Sequence, residues 1–307
     1  MPEGIFRIVF IMKDTRKILS ALISIGFSMS LVACSRVPAA GADGKFNIVT
    51  SFYPMQVLTL NVAGGIDGVS VECMSDPNIG CIHDHVFTTD DLRLVENADV
   101  YVENGLGLET FNEQLLGAYP ELQIIEAAAS VTDAPSDEGE VNGHVWTNPE
   151  DYIVEINQVA EGLALADPDH AALYQQNAEE YTGRIEQLTA DYADSIAAAE
   201  GMRALVIDET LPSFCEWLGI EYEMVETDHE QSALSAGDIA QIIEWMNTND
   251  VSVIFISSES DAGIADTIAA ETGASIYELN TCMTGEVSAD AYYTQMEANL
   301  NILGQIG

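Results

Sequence analysis

Short apolar runs alternate with stretches of helical periodicity through the first part of the chain. The runs are rich in Val, Ile, Phe and Tyr, and they predict strands at residues 46–50, 69–73, 99–102 and 122–125. The stretches between them predict helices at residues 54–63, 89–97 and 109–118. Strands that alternate with helices in this way form a parallel sheet with helices on both of its faces.

The alternation stops in the middle of the chain and then resumes. Residues 149–200 contain no strand signal, and in residues 169–200 apolar side chains recur every three to five positions, which predicts one long helix of ~45 Å. Later strands are predicted at 204–207, 221–225, 251–256 and 275–279, with helices at 211–218, 235–247, 261–272 and 288–303. The predicted fold class is therefore α/β, with two lobes, 45–166 and 202–307, joined by one long linker helix within 167–201.

The N-terminal segment has the pattern of an export signal. Lys13, Arg16 and Lys17 precede the apolar stretch 18–33, which is too short to span a bilayer comfortably. The stretch ends in Leu-Val-Ala-Cys, which resembles the bacterial lipobox, and this predicts a signal peptide over 1–34 with Cys34 as the lipidated residue. Residues 35–44 are rich in Ala, Gly and Pro and predict a flexible tether. The alternatives are a signal peptide that happens to end near a Cys and an uncleaved anchor, and Met12 is an alternative start.

The chain after Cys34 is extremely acidic. Of the 51 acidic residues only Glu3 and Asp14 precede Cys34, and Lys45 is the last lysine. This composition excludes nucleic-acid binding through a basic patch and argues against electrostatic adhesion to anionic lipid. We interpret it as a solvated surface suited to a salty habitat; a field that concentrates cations near a cleft is compatible with that interpretation.

Two histidine motifs on predicted loops indicate a metal site. His83 lies in Gly-Cys-Ile-His-Asp-His, between the second strand and a helix, and His144 lies in Gly-His-Val-Trp-Thr-Asn-Pro. Imidazole is the commonest ligand of transition metals. Asp208 and Glu209 directly follow a predicted strand of the second lobe. Since ligands of α/β folds bind at the carboxyl ends of strands, a third ligand is expected there.

The other histidines and the cysteines support weaker interpretations. His85 fits a supporting or surface position better than a ligand, and His170 fits the surface. His229, in the charged segment 228–230, fits a solvated loop. Four cysteines follow Cys34. A disulfide between Cys73 and Cys81 would pin the loop that carries His83, but the spacing of the cysteines alone leaves their pairing open. These four are Cys73, Cys81, Cys215 and Cys282.

These motifs, in this order, resemble the metal-binding lipoproteins of bacterial ABC importers for zinc and manganese, the cluster A-I or TroA-like family. The matching pieces are a His followed by Thr-Thr-Asp-Asp-Leu, then Ala-Asp with Asn-Gly-Leu-Gly-Leu-Glu, then His-x-Trp-x-x-Pro, and late in the chain Glu-Thr-Gly-Ala and a final helix. The resemblance runs from about Lys45 to the end. It implies the two-lobed fold with a linker helix, and a metal bound between the lobes.

The resemblance also implies a ligand set. His83 and His144 match the family's first-lobe ligands, and counting back from Gly219 places the third ligand on Asp208, with Glu209 as the neighbour that could replace it. The fourth ligand stays open among Cys282, Asn280, Glu259 and water. Two His and a carboxylate favour zinc, with manganese next and iron or another metal after them.

The implied function is that of an extracytoplasmic solute-binding lipoprotein and not of an enzyme. It would capture a divalent metal and deliver it to an ABC permease with its cytoplasmic ATPase, as a monomer anchored by lipid on the outer face of the bacterial cytoplasmic membrane. A metal-dependent surface adhesin is one alternative. A secreted zinc hydrolase is another, but the chain has neither an HExxH motif nor a GxSxG motif.

Overall fold

The computed structural model describes residues 44–80, 82–132, 134–137, 140–225, 235–258, 260 and 262–306. The predicted signal peptide, Cys34 and all of the tether before Gly44 lie outside the described residues. Every element below lies in the compact unit Pro38–Gly307. Within the described part, no helix combines the length and the apolar character needed to cross a membrane.

The first lobe is built on a four-stranded parallel sheet in the order β2-β1-β3-β4. The strands are β1 (Phe46–Thr50), β2 (Val69–Cys73), β3 (Val100–Glu103) and β4 (Gln123–Glu126). All four residues of β3 are buried, as expected of a central strand covered on both faces. The four strands confirm the predicted positions to within one residue.

Helices α1 (Tyr53–Ala63), α2 (Thr89–Val95), α3 (Asn112–Ala118) and α4 (Pro149–Ala166) accompany this sheet. A capping box starts α2: the Thr88 side chain accepts from the Asp91 amide, and the Asp91 side chain accepts from the Thr88 amide. Between β4 and α4 the chain adds a small antiparallel pair of strands, β5 (Ser136–Asp137) and β6 (Glu140–Val141), which was not predicted from the sequence.

The helical region in the middle of the chain consists of α5 (Ala171–Asp191) and α6 (Ala193–Ala199). The prediction of a single helix over 169–200 differs from this at Tyr192, which leaves helical geometry with φ −107° and ψ 15°. Helix α5 packs mainly on α1 and α4 and also contacts the C-terminal helix α10 (Ala291–Leu303), on which α6 packs. The region therefore passes from one lobe to the other; the lobe limits at 166 and 202 remain a prediction.

The second lobe repeats the architecture of the first. Its parallel strands are β7 (Arg203–Val206), β8 (Glu221–Met224), β9 (Val253–Ile256) and β10 (Ser275–Glu278), in the order β8-β7-β9-β10. Helices α7 (Pro212–Trp217), α8 (Ala236–Thr248) and α9 (Ala262–Thr272) complete the lobe together with α10. In both sheets the strand order changes direction beside the first strand, which is where α/β folds place ligands.

One hydrophobic core extends through both lobes. It includes Trp146 and Tyr152 from the first lobe and Phe214 and Tyr292 from the second. The rings of Tyr152 and Tyr292 stack with centroids 3.7 Å apart. A smaller second core lies within the second lobe alone. Because separating the lobes would expose the shared aromatic core, the interface resists large relative motion.

Candidate metal centre

His83 is carried by a single turn of 3-10 helix, Ile82–Asp84, in the long connection from β2 to α2. Ile82 is fully buried and fixes the turn in the first-lobe core, whereas the His83 side chain is 37 % exposed. The imidazole is thus presented by an anchored turn to the space between the lobes, where solvent can reach it.

His144 directly precedes a second 3-10 turn, Val145–Thr147, and its side chain is only 3 % exposed. The turn leads into α4, which begins at Pro149 and is capped by the Asn148 side chain. The rings of His144 and Trp146 form a T-shaped contact, with centroids 5.3 Å apart. Burial between the turn and the indole leaves His144 little freedom to reorient.

Glu209 of the second lobe meets these two histidines. Its Oε1 atom lies 3.8 Å from His144 Nε2 and 4.0 Å from His83 Nδ1. The two imidazole rings lie 5.6 Å apart at an angle of 73°. One candidate ligand atom from each residue lies within 4.8 Å of the other two. Two nitrogens and a carboxylate oxygen converge at a spacing that an ion of ~2.0–2.2 Å coordination distance can bridge with small adjustments.

Asp208, the predicted third ligand, has different partners. Its Oδ1 accepts hydrogen bonds from the backbone amide and hydroxyl of Thr210, at 2.9 and 2.5 Å. Its Oδ2 accepts from the hydroxyls of Ser257 and Ser260, which follow β9. The three side chains that converge are thus His83, His144 and Glu209, and Asp208 is not among them. The carboxylate of Asp208 instead connects the loop after β7 to the loop after β9.

Asn142 connects the two halves of the site. Its Oδ1 accepts from the backbone amide of His144 at 3.0 Å and lies 2.7 Å from the ring Nδ1 of His144. Its Nδ2 donates to the backbone carbonyl of Glu209 at 2.7 Å. Asn142 was not predicted as a site residue, because nothing in the sequence marks it except its place two positions before His144.

Comparison with known proteins identifies the family of this chain. Residues 48–306 match the family model described as "ZnuA: Zinc-uptake complex component A periplasmic". The chain belongs to this family. Relatives of the chain carry the names of metal-binding lipoproteins, of metal ABC transporter substrate-binding lipoproteins and of a zinc uptake system protein, and these names are not those of enzymes. The resemblance found in the sequence and the predicted fold class are confirmed.

Relatives of this ZnuA-family chain carry names with different metals. It is 25 % identical over 313 residues to the zinc-binding lipoprotein AdcA of Streptococcus pneumoniae, a match that covers 94 % of this chain and 61 % of AdcA. It is 28 % identical over 240 residues to the iron-binding protein YfeA of Yersinia pestis, with 75 % of each chain covered. The structure of FpvC from Pseudomonas aeruginosa in complex with Mn²⁺ superposes with a TM-score of 0.76 at 26 % identity, covering 85 % of this chain and 98 % of FpvC.

The residues considered for a fourth ligand in this ZnuA-family chain lie in other contacts. Asn280 and Asn299 of α10 exchange hydrogen bonds through backbone and side chain. Cys282 is buried, and burial raises the pKa of its thiol to about 12, which disfavours the thiolate that metals bind. Glu259 lies outside the described residues. Among the described His, Cys, Asp and Glu residues, the convergent group consists of His83, His144 and Glu209.

The remaining histidines of the described chain support the fold. His85 Nε2 lies 3.1 Å from Oδ2 of Asp91, and its ring contacts Phe111, so His85 fastens the His83 loop to the start of α2. His170 Nδ1 lies 2.6 Å from Oδ2 of Asp167 at the start of α5. The segment 228–230 and Cys81 lie outside the described residues. Cys73, Cys215 and Cys282 have free thiols, so Cys73 takes no part in a bridge.

Proposed function

We propose that this protein captures a divalent transition metal between its lobes, with zinc as the first candidate and manganese as the next. The ligands in this proposal are His83 and His144 from the first lobe and Glu209 from the second. The metal is cargo: the protein would hold it outside the cytoplasm and release it to an ABC permease driven by a cytoplasmic ATPase. A lipid on Cys34 would keep the protein at the outer face of the membrane.

The observation that carries this proposal is the convergence of three ligand atoms from distant parts of the chain within 4.8 Å. Two of the three side chains are 37 % exposed, so a hydrated cation can reach the site from solvent. The third, His144, is held by Asn142 and Trp146. A partly open site with one rigid ligand suits an ion that must both bind and leave.

The ligand types favour zinc over manganese. Zinc accepts two imidazoles and a carboxylate in a four-coordinate site, whereas manganese prefers oxygen-rich surroundings with more ligands. A water molecule or the second oxygen of Glu209 would complete a four-coordinate shell. The names of relatives support the class of ligand and divide on its identity, since they include zinc, iron and manganese binders.

Native mass spectrometry with elemental analysis of protein purified without chelator tests the proposal. We expect one metal per chain, predominantly zinc, and its loss in His83→Ala, His144→Ala and Glu209→Ala. His170→Ala makes the same substitution away from the site and should retain the metal. Because protons compete for imidazole ligands, affinity should also fall between about pH 7.5 and about pH 5. Retention of one tightly bound metal by all three site variants would refute the ligand assignment.

Growth of a deletion strain separates transport from the adhesin alternative. If the protein supplies an importer, the strain should require added zinc in chelated medium, and the wild-type gene but not the His144→Ala gene should restore growth. A strain that grows normally without added metal but loses attachment would favour the adhesin.

A further inference from the structure

The Asn142 side chain has a fixed orientation because its partners can each play only one role. A backbone amide can only donate and a backbone carbonyl can only accept. The amide of His144 therefore faces Oδ1 of Asn142, and the carbonyl of Glu209 faces Nδ2. The carboxamide could not be flipped without breaking both bonds.

This orientation determines which ring nitrogen of His144 carries the hydrogen. Oδ1 of Asn142 is an acceptor, so His144 Nδ1, 2.7 Å away, must donate to it. In the neutral ring the lone pair then lies on Nε2. This is the atom 3.8 Å from Oε1 of Glu209, on the side where the three candidate ligands converge.

The same carboxamide also holds the second-lobe half of the site. Nδ2 of Asn142 binds the backbone of Glu209 itself. A parallel contact exists one residue further on, where the Thr147 hydroxyl donates to the carbonyl of Thr210 at 3.0 Å. Two consecutive carbonyls of the loop after β7 are thus bound by side chains that flank His144.

We infer that Asn142 is a positioning residue that orients His144 and Glu209 together, so that the site is assembled across the two lobes before the cation arrives. This inference rests on the proposed function. Mutation of a residue that hydrogen-bonds to a metal-binding histidine typically lowers metal affinity about 10- to 100-fold. Here one side chain fixes a ligand from each lobe, and its loss would affect both.

Two variants and one control test the contacts of Asn142 against the neighbouring contact of Thr147. Asn142→Ala removes both the His144 contact and the Glu209 contact. Thr147→Val keeps the shape of the side chain and both contacts of Asn142, and it removes the bond to the Thr210 carbonyl together with the bond of the same hydroxyl to the His144 carbonyl. Asn157→Ala is the matched control. Asn157 lies on the exposed face of α4, and its side-chain amide also donates to a backbone carbonyl, that of Ile153.

Zinc affinity, measured by competition with a chromophoric chelator, should fall about 10- to 100-fold in Asn142→Ala. It should fall less in Thr147→Val and stay unchanged in Asn157→Ala. In a double-mutant cycle, Asn142→Ala should lower zinc affinity by a smaller factor in a Glu209→Ala background than in the wild type, because its effect through the Glu209 side chain is already lost. An equal decrease in zinc affinity in both backgrounds would overturn the link to Glu209.

Two measurements on the metal-free protein add readouts that do not depend on affinity. Nitrogen NMR of histidine-labelled protein should show His144 as the Nδ1–H tautomer in the wild type and Thr147→Val, and as a mixture in Asn142→Ala. Hydrogen exchange over residues 207–212 should quicken in both variants. If Asn142→Ala fails to fold, the isosteric Asn142→Asp replaces it: it keeps an acceptor for Nδ1 and loses the donor to Glu209, so exchange should quicken while the tautomer stays.

The inference is overturned if Asn142→Ala binds zinc within twofold of the wild type, or if its His144 tautomer and its exchange are unchanged. That result differs from failure of the proposed function. The function fails if the wild type holds no metal or if His144→Ala binds as well as the wild type, whereas the inference alone fails if His144→Ala loses the metal and Asn142→Ala keeps it.

Discussion

Asp208 and Glu209 are adjacent carboxylates with different surroundings, and their substitution should have different effects. Glu209 is 37 % exposed and faces both histidines, so Glu209→Ala should lower zinc affinity by more than about 100-fold while the metal-free protein keeps its melting temperature. Asp208 accepts hydrogen bonds from two loops, so Asp208→Ala should lower the free energy of unfolding by about 2 kcal/mol or more. Chelator competition and urea unfolding measure the two quantities.

The opposite pattern would restore Asp208 as the ligand. If Asp208→Ala lost the metal at unchanged stability while Glu209→Ala kept it, the group of three proposed here would be wrong. Glu113→Ala, on the exposed side of α3, serves as the control for loss of one carboxylate.

The sequence singles out the two histidines of the convergent group, but it does not single out the carboxylate of that group. His83 and His144 lie in motifs on loops between predicted elements, and histidine is rare in this chain. Asp208 and Glu209 share the same charge and the same strand end. What separates them is hydrogen bonding by Ser257 and Ser260, which come from another loop after β9. Such a partner far along the chain leaves no local signal.

At the scale of single elements, β3 contains an ionisable group in an unfavourable place. Glu103 ends this central strand directly opposite Glu126 of β4. Burial, followed by the charge of Glu109, raises the pKa of the Glu103 carboxyl to about 8. Asn112 Nδ2 donates to its Oε2 at 2.6 Å and partly offsets this shift. The carboxyl is thus neutral in the folded protein at a pH where the unfolded chain has ionised.

Replacement of Glu103 by Gln should therefore stabilise the protein in a pH-dependent way. Between the ordinary glutamate pKa of ~4.3 and about pH 8 the unfolded chain binds fewer protons than the folded one, so wild-type stability falls as pH rises. Glu103→Gln removes this loss and keeps an acceptor for Asn112. We expect a gain on the order of 2 kcal/mol at about pH 8 and a smaller gain at about pH 5 in urea unfolding. An equal gain at both pH values, or the same gain in the exposed control Glu113→Gln, would contradict the explanation.

The strands were predictable nearly to the residue, because buried parallel strands are short apolar runs bounded by polar loops. The helix break at Tyr192 was not predictable, because an aromatic residue there fits the apolar stripe. The side chain is instead bound elsewhere: the Tyr192 hydroxyl donates to Oδ1 of Asn301 in α10, 2.9 Å away. A contact with the second lobe thus accompanies the end of α5, and local periodicity carries no information about it.

At the scale of the whole molecule, the shared core limits how the lobes can respond to metal. Beyond the stacked Tyr152 and Tyr292, Trp146 Nε1 donates to the carbonyl of Thr281, and the Tyr292 hydroxyl donates to the carbonyl of Trp146. We expect small-angle scattering to show the same radius of gyration with and without zinc, whereas fluorescence of Trp146 changes because its ring lies beside His144. His144→Ala with zinc is the control. A decrease of about 1 Å or more in the radius of gyration of the wild-type protein on zinc binding would indicate hinge closure and contradict a shared rigid core.

The net charge determines how this molecule depends on salt. The formal net charge is −42 at pH 7, and in the described chain the cations are Lys45, Arg93, Arg184 and Arg203. All three arginines are paired with a carboxylate, so they do little to relieve repulsion among the remaining acids. Self-repulsion of this kind favours the expanded unfolded chain and is screened over ~10 Å at 0.1 M and ~3 Å at 1 M salt.

The melting temperature of the metal-free protein should therefore rise steeply with sodium chloride up to about 1 M. Choline chloride should act almost as well, because screening depends on ionic strength, whereas sucrose at equal osmolality should act less, because it strengthens burial without screening charge. If sucrose matched the salts, the acidic surface would be of little consequence for folding. If sodium chloride alone acted, specific cation binding to the carboxylates would replace general screening as the explanation. The expected order, both salts above sucrose, would mean that screening of the acidic surface stabilises the fold.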